Sequence, residues 1–205
     1  GIARLCTEPE LEAVLLTALM EAADRVDSTA GLQMAYMKRW APRALNPLEL
    51  RLPALLPRPA AGACAASCDE AEVAAARAAC ELAYLDPPYN QHSYLGNYHV
   101  WETLVRWDRP EVYGIARKRT DVRARRSAFN GKRSIGPALA RTIAALRCPV
   151  IVLSFNDEGH LSRDAVLDIL GPRRHLRVLE IPYGRYVGAR IGIHNPRGEK
   201  VGTVG

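Results

Sequence analysis

The segment Glu81–Asn90, with the sequence ELAYLDPPYN, constrains the fold more than any other part of the chain. Leu82–Leu85 is a short apolar run beside a proline pair, a pattern more typical of a buried strand than of a helix. Proline has no backbone N–H, so Pro87 and Pro88 cannot continue a ladder and the strand must stop at Asp86. A carboxylate, a rigid turn and an aromatic ring therefore follow the carboxyl end of a strand, where open α/β sheets bind their ligands.

This turn carries the groups needed to activate a planar amine. The exocyclic amine of a nucleobase is a weak nucleophile because its lone pair is delocalised into the ring. If the Asp86 carboxylate and the Pro87 main-chain carbonyl each accept one of its hydrogens, the nitrogen moves toward a pyramidal state with a localised lone pair. Proline fixes φ, so the carbonyl is aimed in advance. The Tyr89 ring offers a flat face on which an extruded base can stack.

The motif and its surroundings resemble the DNA adenine-N6 methyltransferases related to the Dam methylase. In that family DPPY is the catalytic motif and S-adenosylmethionine is the methyl donor. The resemblance implies a site-specific enzyme that methylates N6 of adenine in double-stranded DNA after base flipping. It covers most of the chain outside the alanine-rich stretch of residues 60–79, and it lies in Asp86–Asn90, Asn97–Leu104, Val26–Asn46, Pro149–Asp157 and Arg185–Gly202.

The resemblance also implies a set of site residues. We expect Asp86 to face a cavity able to admit a base. The catalytic residues are Asp86, Pro87, Pro88 and Tyr89. The substrate-binding residues, which border the flipped base and the donor pocket, are Asn90, Asn97, Tyr98 and His99. An alternative is that residues 97–99 only cap and pack a helix. Near the C-terminal hairpin, the residues that could line the pocket or equally pack in a sheet are Tyr183, Arg185 and Tyr186.

The stretch from Ala116 to Arg133 carries many cations and one acid, Asp121, with no apolar period. We interpret it as a loop or arm. A charge run is usually a solvated face, but here it follows a DNA-enzyme motif, which favours contacts to phosphates that position a duplex without reading bases. The predicted DNA-binding residues are Arg117, Lys118, Arg119, Arg123, Arg125, Arg126, Lys132 and Arg133.

Capping residues and apolar periodicity predict the N-terminal elements. A capping box at Thr7 and Glu10 starts a helix that runs to about Val26. Next to it, cations mix with aromatic side chains, a pattern that fits a nucleic-acid surface and equally a solvated edge with a core Trp. The family resemblance favours the DNA-facing role for these residues: Tyr36, Lys38, Arg39, Trp40 and Arg43. Residues 42–59 carry five prolines and should be extended, and Asp69 can cap a short helix to about Ala79.

The C-terminal part of the chain reads as alternating helices and strands. The predicted helices are residues 98–107, a helix capped by Ser134, and a helix capped by Ser162 that ends at Gly171. The predicted strands are Pro149–Phe155, buried on both faces, then His175–Ile181 and a hairpin around residues 195–198. Asn156–Gly159 should meet Asp86 at one edge of the sheet.

This order predicts an α/β fold, namely the C-terminal half of a Rossmann-like S-adenosylmethionine-dependent methyltransferase sheet with a helical N-terminal segment. The expected domains are a helical segment over residues 1–56, a low-complexity linker over 57–69 and a partial catalytic domain over 70–205. No glycine-rich donor turn precedes Asp86, since Gly1, Gly31 and Gly62 stand alone. We therefore expect that an N-terminal donor-binding half is missing and needed, and that the isolated chain methylates poorly.

Composition adds weaker constraints. The formal net charge of +6 is a mild basic excess, and the chain has neither a signal peptide nor an apolar run of membrane-spanning length. These features predict a cytoplasmic location without membrane contact. The five cysteines are scattered, without the ligand spacing of a metal site, and we interpret them as reduced thiols.

Two further hypotheses stay open at this stage. The same quartet serves other planar amines, so the substrate could be an RNA adenine, the N4 of cytosine or a protein amide. The chain could also be a catalytically inactive nucleic-acid-binding remnant, which a missing donor loop would favour. The resemblance further allows a restriction endonuclease partner in the cell.

Overall fold

A computed structural model describes residues 2, 8–29, 31–33, 39–171, 175–182, 193–194 and 200–202. The described helices are α1 (Pro9–Arg25), α2 (Ala71–Arg77), α3 (Tyr94–Asn97), α4 (His99–Arg106), α5 (Ile135–Ala145) and α6 (Arg163–Leu170). The strands are β1 (Leu82–Leu85), β2 (Val112–Tyr113), β3 (Lys118–Arg119), β4 (Val150–Leu153), β5 (Ile193–His194) and β6 (Lys200–Gly202). Short 3-10 helices cover Pro42–Leu45, Thr120–Arg123 and Ala128–Asn130.

The chain divides into two compact units. The first unit comprises Gly1–Cys64 and Tyr94–Arg125, and the second comprises Ala65–Ser93 and Arg126–Gly205. Residues 94–125, which the predicted boundaries assign to the catalytic domain, thus group with the N-terminal segment. The boundaries at residues 56 and 69 remain a prediction. No helix in the described ranges is both long and apolar enough to cross a membrane.

In the first unit, α1 forms where the helical period predicts it. The helix ends at Arg25, next to the predicted end, and it buries Ala18 and Ala22. Glu8 is its N-cap residue but makes no side-chain cap bond, and Thr7 lies outside the described residues.

The segment after α1 was predicted to face DNA, and the structure describes part of it. Trp40 is 78% exposed there, whereas Arg43 pairs with Asp27. Tyr36 and Lys38 lie outside the described residues. After the short 3-10 helix at Pro42–Leu45, residues 46–59 have no helix or strand, as the prolines predicted.

The second unit is built on a small parallel sheet. β1 and β4 pair in parallel from Leu82 opposite Val150 to Leu85 opposite Leu153. Helix α5 lies against one face, where Ile135, Leu139 and Ile143 pack on inward side chains that include Leu85, Ile151 and Leu153. The strand predicted before Asp86 is therefore confirmed, and so is the broader expectation of a mixed α/β structure.

The expectation that the second strand is buried on both faces is wrong. On the face of the sheet opposite α5, Leu82, Tyr84, Val150 and Val152 are 44–61% exposed. The strands alternate between exposed and half-buried positions, because α5 covers one face and no described residue buries the other.

The predicted strand at His175–Ile181 is also wrong. These residues have no ladder partner, and their apolar side chains, such as Leu179 and Ile181, are exposed. A strand needs a neighbour to satisfy its backbone, and the described part of this unit supplies none at that place. The hairpin is confirmed in its described part, where β5 pairs antiparallel with β6. Its turn at residues 195–198 lies outside the described residues.

Capping predictions for the helices had mixed outcomes. Ser162 caps α6 by accepting from the Ala165 N–H at 3.2 Å, and α6 ends at Gly171, as predicted. Ser134 does not cap α5 with its side chain, because its hydroxyl donates to the Ala128 carbonyl at 2.6 Å. Asp69 does not cap α2 either, since its carboxylate pairs with an arginine of that helix and Glu70 is the N-cap residue.

The prediction of reduced thiols is wrong for one pair. Cys80 and Cys148 form a disulfide with a Cα–Cα distance of 5.4 Å, whereas Cys64 and Cys68 are free and exposed. Cys80 lies two residues before the start of β1 and Cys148 lies two residues before the start of β4, so the parallel register that pairs Leu82 with Val150 also places the two cysteines side by side. Cys6 lies outside the described residues.

Candidate active site

The DPPY turn lies at the carboxyl end of the parallel pair, as predicted. The Ser154 N–H donates to the Leu85 carbonyl at 2.9 Å, which closes the ladder at the last residue of β1. The turn that follows β4 lies at the same edge, where the His160 N–H donates to the Tyr89 carbonyl at 2.7 Å. The rings of Tyr89 and Phe155 meet edge to face, with centroids 6.2 Å apart.

Asn130 holds the chain that leaves the DPPY turn. Its side-chain amide donates to the Asn90 carbonyl at 2.9 Å and to the His92 carbonyl at 3.1 Å. The Asn90 side chain in turn accepts from the His92 N–H at 3.0 Å. Asn130 ends a 3-10 helix whose N-cap residue, Ser127, accepts from the Phe129 N–H. The segment after the DPPY motif is thus fixed by a residue far away in sequence.

Gly159 allows the turn after β4 to approach the motif closely. A Cβ atom at this position would lie 2.8 Å from Cε1 of Phe155 and 3.0 Å from the Tyr89 carbonyl oxygen. Carbon atoms do not approach backbone oxygen and aromatic carbon this closely without a shift of the neighbours. A side chain at position 159 would therefore displace Tyr89 or Phe155.

The two proposed acceptors have no hydrogen-bond or ion-pair partner among the residues that the structure describes. Neither the Asp86 carboxylate nor the Pro87 carbonyl has a hydrogen bond or ion pair within the described ranges. Asp86 is exposed, so the expectation that it faces a cavity able to admit a base is not met within the second unit. A groove in that unit lies elsewhere, between α2 and α5, and is lined by residues such as Arg77 and Arg141.

Asn97, Tyr98 and His99 belong to the first unit, whereas residues 86–90 belong to the second. Asn97 and His99 are buried, and their Oδ1 and Nε2 atoms have no hydrogen-bond partner among the described residues. Gln33 organises this segment, because its N–H donates to the Asn97 carbonyl at 2.8 Å and its side-chain oxygen accepts from the Val100 N–H at 2.8 Å.

Burial lowers the pKa of His99 below its ordinary value of 6.5, because the charged imidazolium loses solvation. A hydrogen bond with the Gln33 main chain opposes this shift, while the nearby cations Lys118 and Arg119 add to it. The buried ring is therefore neutral near pH 7. Tyr98 is half-buried, and its ring stacks on that of Tyr94 with centroids 6.3 Å apart.

The predicted basic arm contains one arginine that is buried rather than presented to solvent. Arg119 is only 3% exposed and forms paired hydrogen bonds to Asp108 at 2.7 Å and to Asp121 at 3.0 Å. These bonds raise the pKa of Arg119 and lower the pKa of both carboxyl groups. The sequence did not predict this pairing with Asp108, because Asp108 lies 11 residues before Arg119 and outside the basic stretch.

The other cations of the basic stretch differ in their burial and in their contacts with acidic or aromatic side chains. Arg125 pairs with Glu102 at 2.9 Å, and the Arg123 guanidinium lies over the Tyr113 ring at 3.9 Å. Lys118 is half-buried. Cations that are exposed and have no ion pair within the described chain are Arg117, Arg126, Lys132 and Arg133. Of these, Arg117 belongs to the first unit and the other three belong to the second.

Comparison with known proteins points to one family. A family model described as D12 class N6 adenine-specific DNA methyltransferase matches residues 11–141. The chain is 32% identical to Type II methyltransferase M.FokI of Planomicrobium okeanokoites over 86% of its own length and 28% of the relative. It is 29% identical to Modification methylase StsI of Streptococcus sanguinis, over 86% of the chain and 27% of the relative.

A shorter relative gives the same picture. The chain is 31% identical to Type II methyltransferase M.NlaIII of Neisseria lactamica over 84% of its length and 50% of the relative. It thus spans between about a quarter and a half of the curated relatives it matches. No solved structure matches it significantly. Because the family model matches more than half of the residues, the chain belongs to the D12 class N6 adenine-specific DNA methyltransferases.

Proposed function

We propose that this chain carries the catalytic turn of a site-specific enzyme that transfers a methyl group from S-adenosylmethionine to N6 of adenine in double-stranded DNA. The observation that carries the proposal is the pair of unbonded acceptors, Asp86 and Pro87, at the carboxyl edge of the β1–β4 pair. Family membership supplies the chemical class.

The proposed mechanism uses these acceptors to activate the amine. The Asp86 carboxylate and the Pro87 carbonyl each accept one N6 hydrogen of an extruded adenine that stacks on Tyr89, and the nitrogen lone pair becomes localised. S-adenosylmethionine supplies an electrophilic methyl group on its sulfonium. With that methyl group supplied to N6, Asp86 or water would take up the proton that the methylated amine must lose.

The residues of this chain are better suited to bind the adenine amine than to bind S-adenosylmethionine. Two unbonded acceptors suit two N–H donors, but no glycine-rich turn precedes Asp86 for the donor. We therefore assign the amine-binding side to this chain and propose that a donor-binding half is needed for activity. Within such a sheet, β1 and β4 would be neighbouring strands of a Rossmann-like arrangement, a view supported by their parallel pairing. Asn90, Asn97, Tyr98 and His99 remain proposed neighbours of the base and donor.

Duplex binding is proposed for the exposed part of the basic stretch. Arg117, Arg126, Lys132 and Arg133 are available for phosphates, since none has an ion pair in the described chain. Arg123 and Arg125 are partly engaged and Lys118 is half-buried, so these three would contribute less. We assign a scaffolding role to Arg119, because burying its guanidinium against two carboxylates leaves no face for a phosphate.

The decisive experiment compares Asp86→Ala with Asp157→Ala, a substitution of another exposed aspartate after the neighbouring strand. We expect Asp86→Ala to lower single-turnover transfer of labelled methyl to adenine DNA by about 10²-fold or more. Affinity for duplex should stay nearly unchanged, and Asp157→Ala should behave like the wild type. The assay uses the complete gene product. Methylation that survives in Asp86→Ala would overturn the mechanism.

The exposure of Asp86 favours one competing function, an inactive chain that only binds nucleic acid. That alternative predicts duplex binding with no methyl transfer in the complete wild-type product. Transfer to RNA, to cytosine or to protein instead of adenine DNA would indicate the related amine substrates. We further propose a restriction endonuclease as the cellular partner, since the relatives of this chain are named Type II methyltransferases and modification methylases.

A further inference from the structure

We propose that Asn130 is a positioning residue that holds the catalytic turn in its reactive shape. The inference rests on the proposed function, because it concerns the same turn. Asn130 is remote from the motif in sequence, 40 residues beyond Asn90, and it touches neither Asp86 nor Pro87 through any hydrogen bond described in this structure. It acts through the chain segment that leaves the motif.

The hydrogen bonds around the turn divide its carbonyl groups into two classes. The carbonyls of Tyr89, Asn90 and His92 are each taken by a donor from another segment, namely the His160 N–H or the Asn130 amide. The Pro87 carbonyl, upstream of these three, accepts no bond within the described ranges. The clamp therefore fixes the downstream chain and leaves the proposed catalytic acceptor open.

The chemistry of asparagine suits this role. Its one amide nitrogen carries two hydrogens, and they serve two carbonyls that are two residues apart. An aspartate of the same shape would direct a carboxylate at two carbonyl oxygens, so both bonds would become repulsive contacts. Half-buried carbonyls that lose their donors would then move toward solvent, and the turn would move with them.

The opposite side of the turn is already fixed. Tyr89 is held by the His160 N–H and by close approach to Gly159. Without Asn130, Tyr89 would be the one residue of segment 89–92 whose carbonyl accepts from another segment in the described structure. A displacement of about 1 Å in a catalytic group lowers rates by about 10²-fold, so a modest rotation is enough to impair transfer.

The test substitutes Asn130→Asp, with Asn46→Asp as the matched control at an exposed site without a described side-chain hydrogen bond. The first readout is hydrogen–deuterium exchange in the 205-residue chain. We expect exchange in the peptide covering residues 86–93 to rise at least about tenfold in Asn130→Asp, while exchange in β4 stays the same. Unchanged exchange in residues 86–93 would overturn the inference, whatever the activity of the protein.

The second readout is single-turnover methyl transfer by the complete gene product. We expect Asn130→Asp to lower the rate about 10²-fold with affinity for duplex DNA within about twofold of wild type. Lowering the pH should restore part of the rate relative to wild type, because a protonated aspartate regains one donor, and a general loss of folding would not recover in this way. If the wild type transfers methyl and Asn130→Asp does so at the same rate, the positioning role of Asn130 is refuted while the proposed function stands. An inactive wild type would instead refute the proposed function.

Discussion

The Cys80–Cys148 disulfide makes a quantitative prediction about the sheet that carries the DPPY turn. Cys80→Ser removes the bond without placing a hydroxyl in the core, because position 80 is exposed while Cys148 is buried. The two residues are 68 positions apart, and a cross-link closing a loop of that size lowers the entropy of the unfolded chain by the equivalent of about 4 kcal/mol. Measured values fall below this limit, so we expect a loss of about 2–4 kcal/mol.

Urea denaturation with and without a reductant measures this loss. The reductant should lower the free energy of unfolding of the wild type by the same amount as Cys80→Ser does, and it should have no further effect on the variant. Cys64→Ser is the matched control, because Cys64 is a free, exposed thiol. This control should keep the wild-type stability and the wild-type response to the reductant.

The number of free thiols in denatured, unreduced protein shows whether the disulfide is present. The difference in this number between Cys80→Ser and the wild type has opposite signs with and without the bond. If the bond exists, Cys80→Ser has one thiol more than the wild type, because Cys148 is released. If both cysteines are reduced, the variant has one thiol fewer. A decrease in the count, together with no effect of the reductant on stability, would refute the reasoning that the register of β1 and β4 brings the two sulfur atoms together.

Two other predictions concern the cores of the two units. Leu139→Ala should lower the free energy of unfolding, measured by urea denaturation, by about 3 kcal/mol, because Leu139 is 1% exposed. Leu82→Ala is the control at a site that is 55% exposed, and it should lower this free energy by less than about 1 kcal/mol. Equal losses in the two variants would contradict the packing of α5 on the sheet. His99 has a lowered pKa, so the unfolded chain binds its proton more readily than the folded chain, and wild-type stability should fall as the pH drops below about 6.5. His99→Gln should lose that part of the decline between pH 7.5 and 5.5, and an unchanged pH profile would rule out the buried neutral ring.

Features encoded by neighbouring residues could be predicted from the sequence. The end of β1 follows from two prolines, and the start and end of α6 follow from Ser162 and Gly171. The residues after β1 and β4 were expected at one edge of the sheet, and the bond from His160 to Tyr89 confirms it. In each case the deciding interaction acts within a few residues, or follows from the parallel pairing of two apolar runs.

Features that depend on distant partners could not be predicted. His175–Ile181 has the composition of a strand but no neighbour to pair with in the described structure. Arg119 stands in a run of cations, and only the fold brings Asp108 to it. The Cys80–Cys148 bond depends on a register that periodicity does not specify.

The candidate site shows the same limit. Asp86 and Pro87 are recognisable because the motif is contiguous, whereas Asn130 carries no local signal of its contact with Asn90. Gly159 is one of 15 glycines, and only its distance from the Tyr89 carbonyl distinguishes it. The residues that shape the turn were therefore missed, whereas the proposed catalytic residues were chosen from the motif itself.

The open face of the parallel pair has a consequence for the reactivity of Asp86. Leu82, Tyr84 and Asp86 occupy alternate positions and are all exposed, so the carboxylate continues the row of apolar side chains that α5 leaves uncovered. Any surface that dries this row also lowers the dielectric constant around Asp86, and hydrogen bonds from an amine to the carboxylate then become stronger. A surface that shields this face of the sheet from water would thus also strengthen the binding of the amine to Asp86.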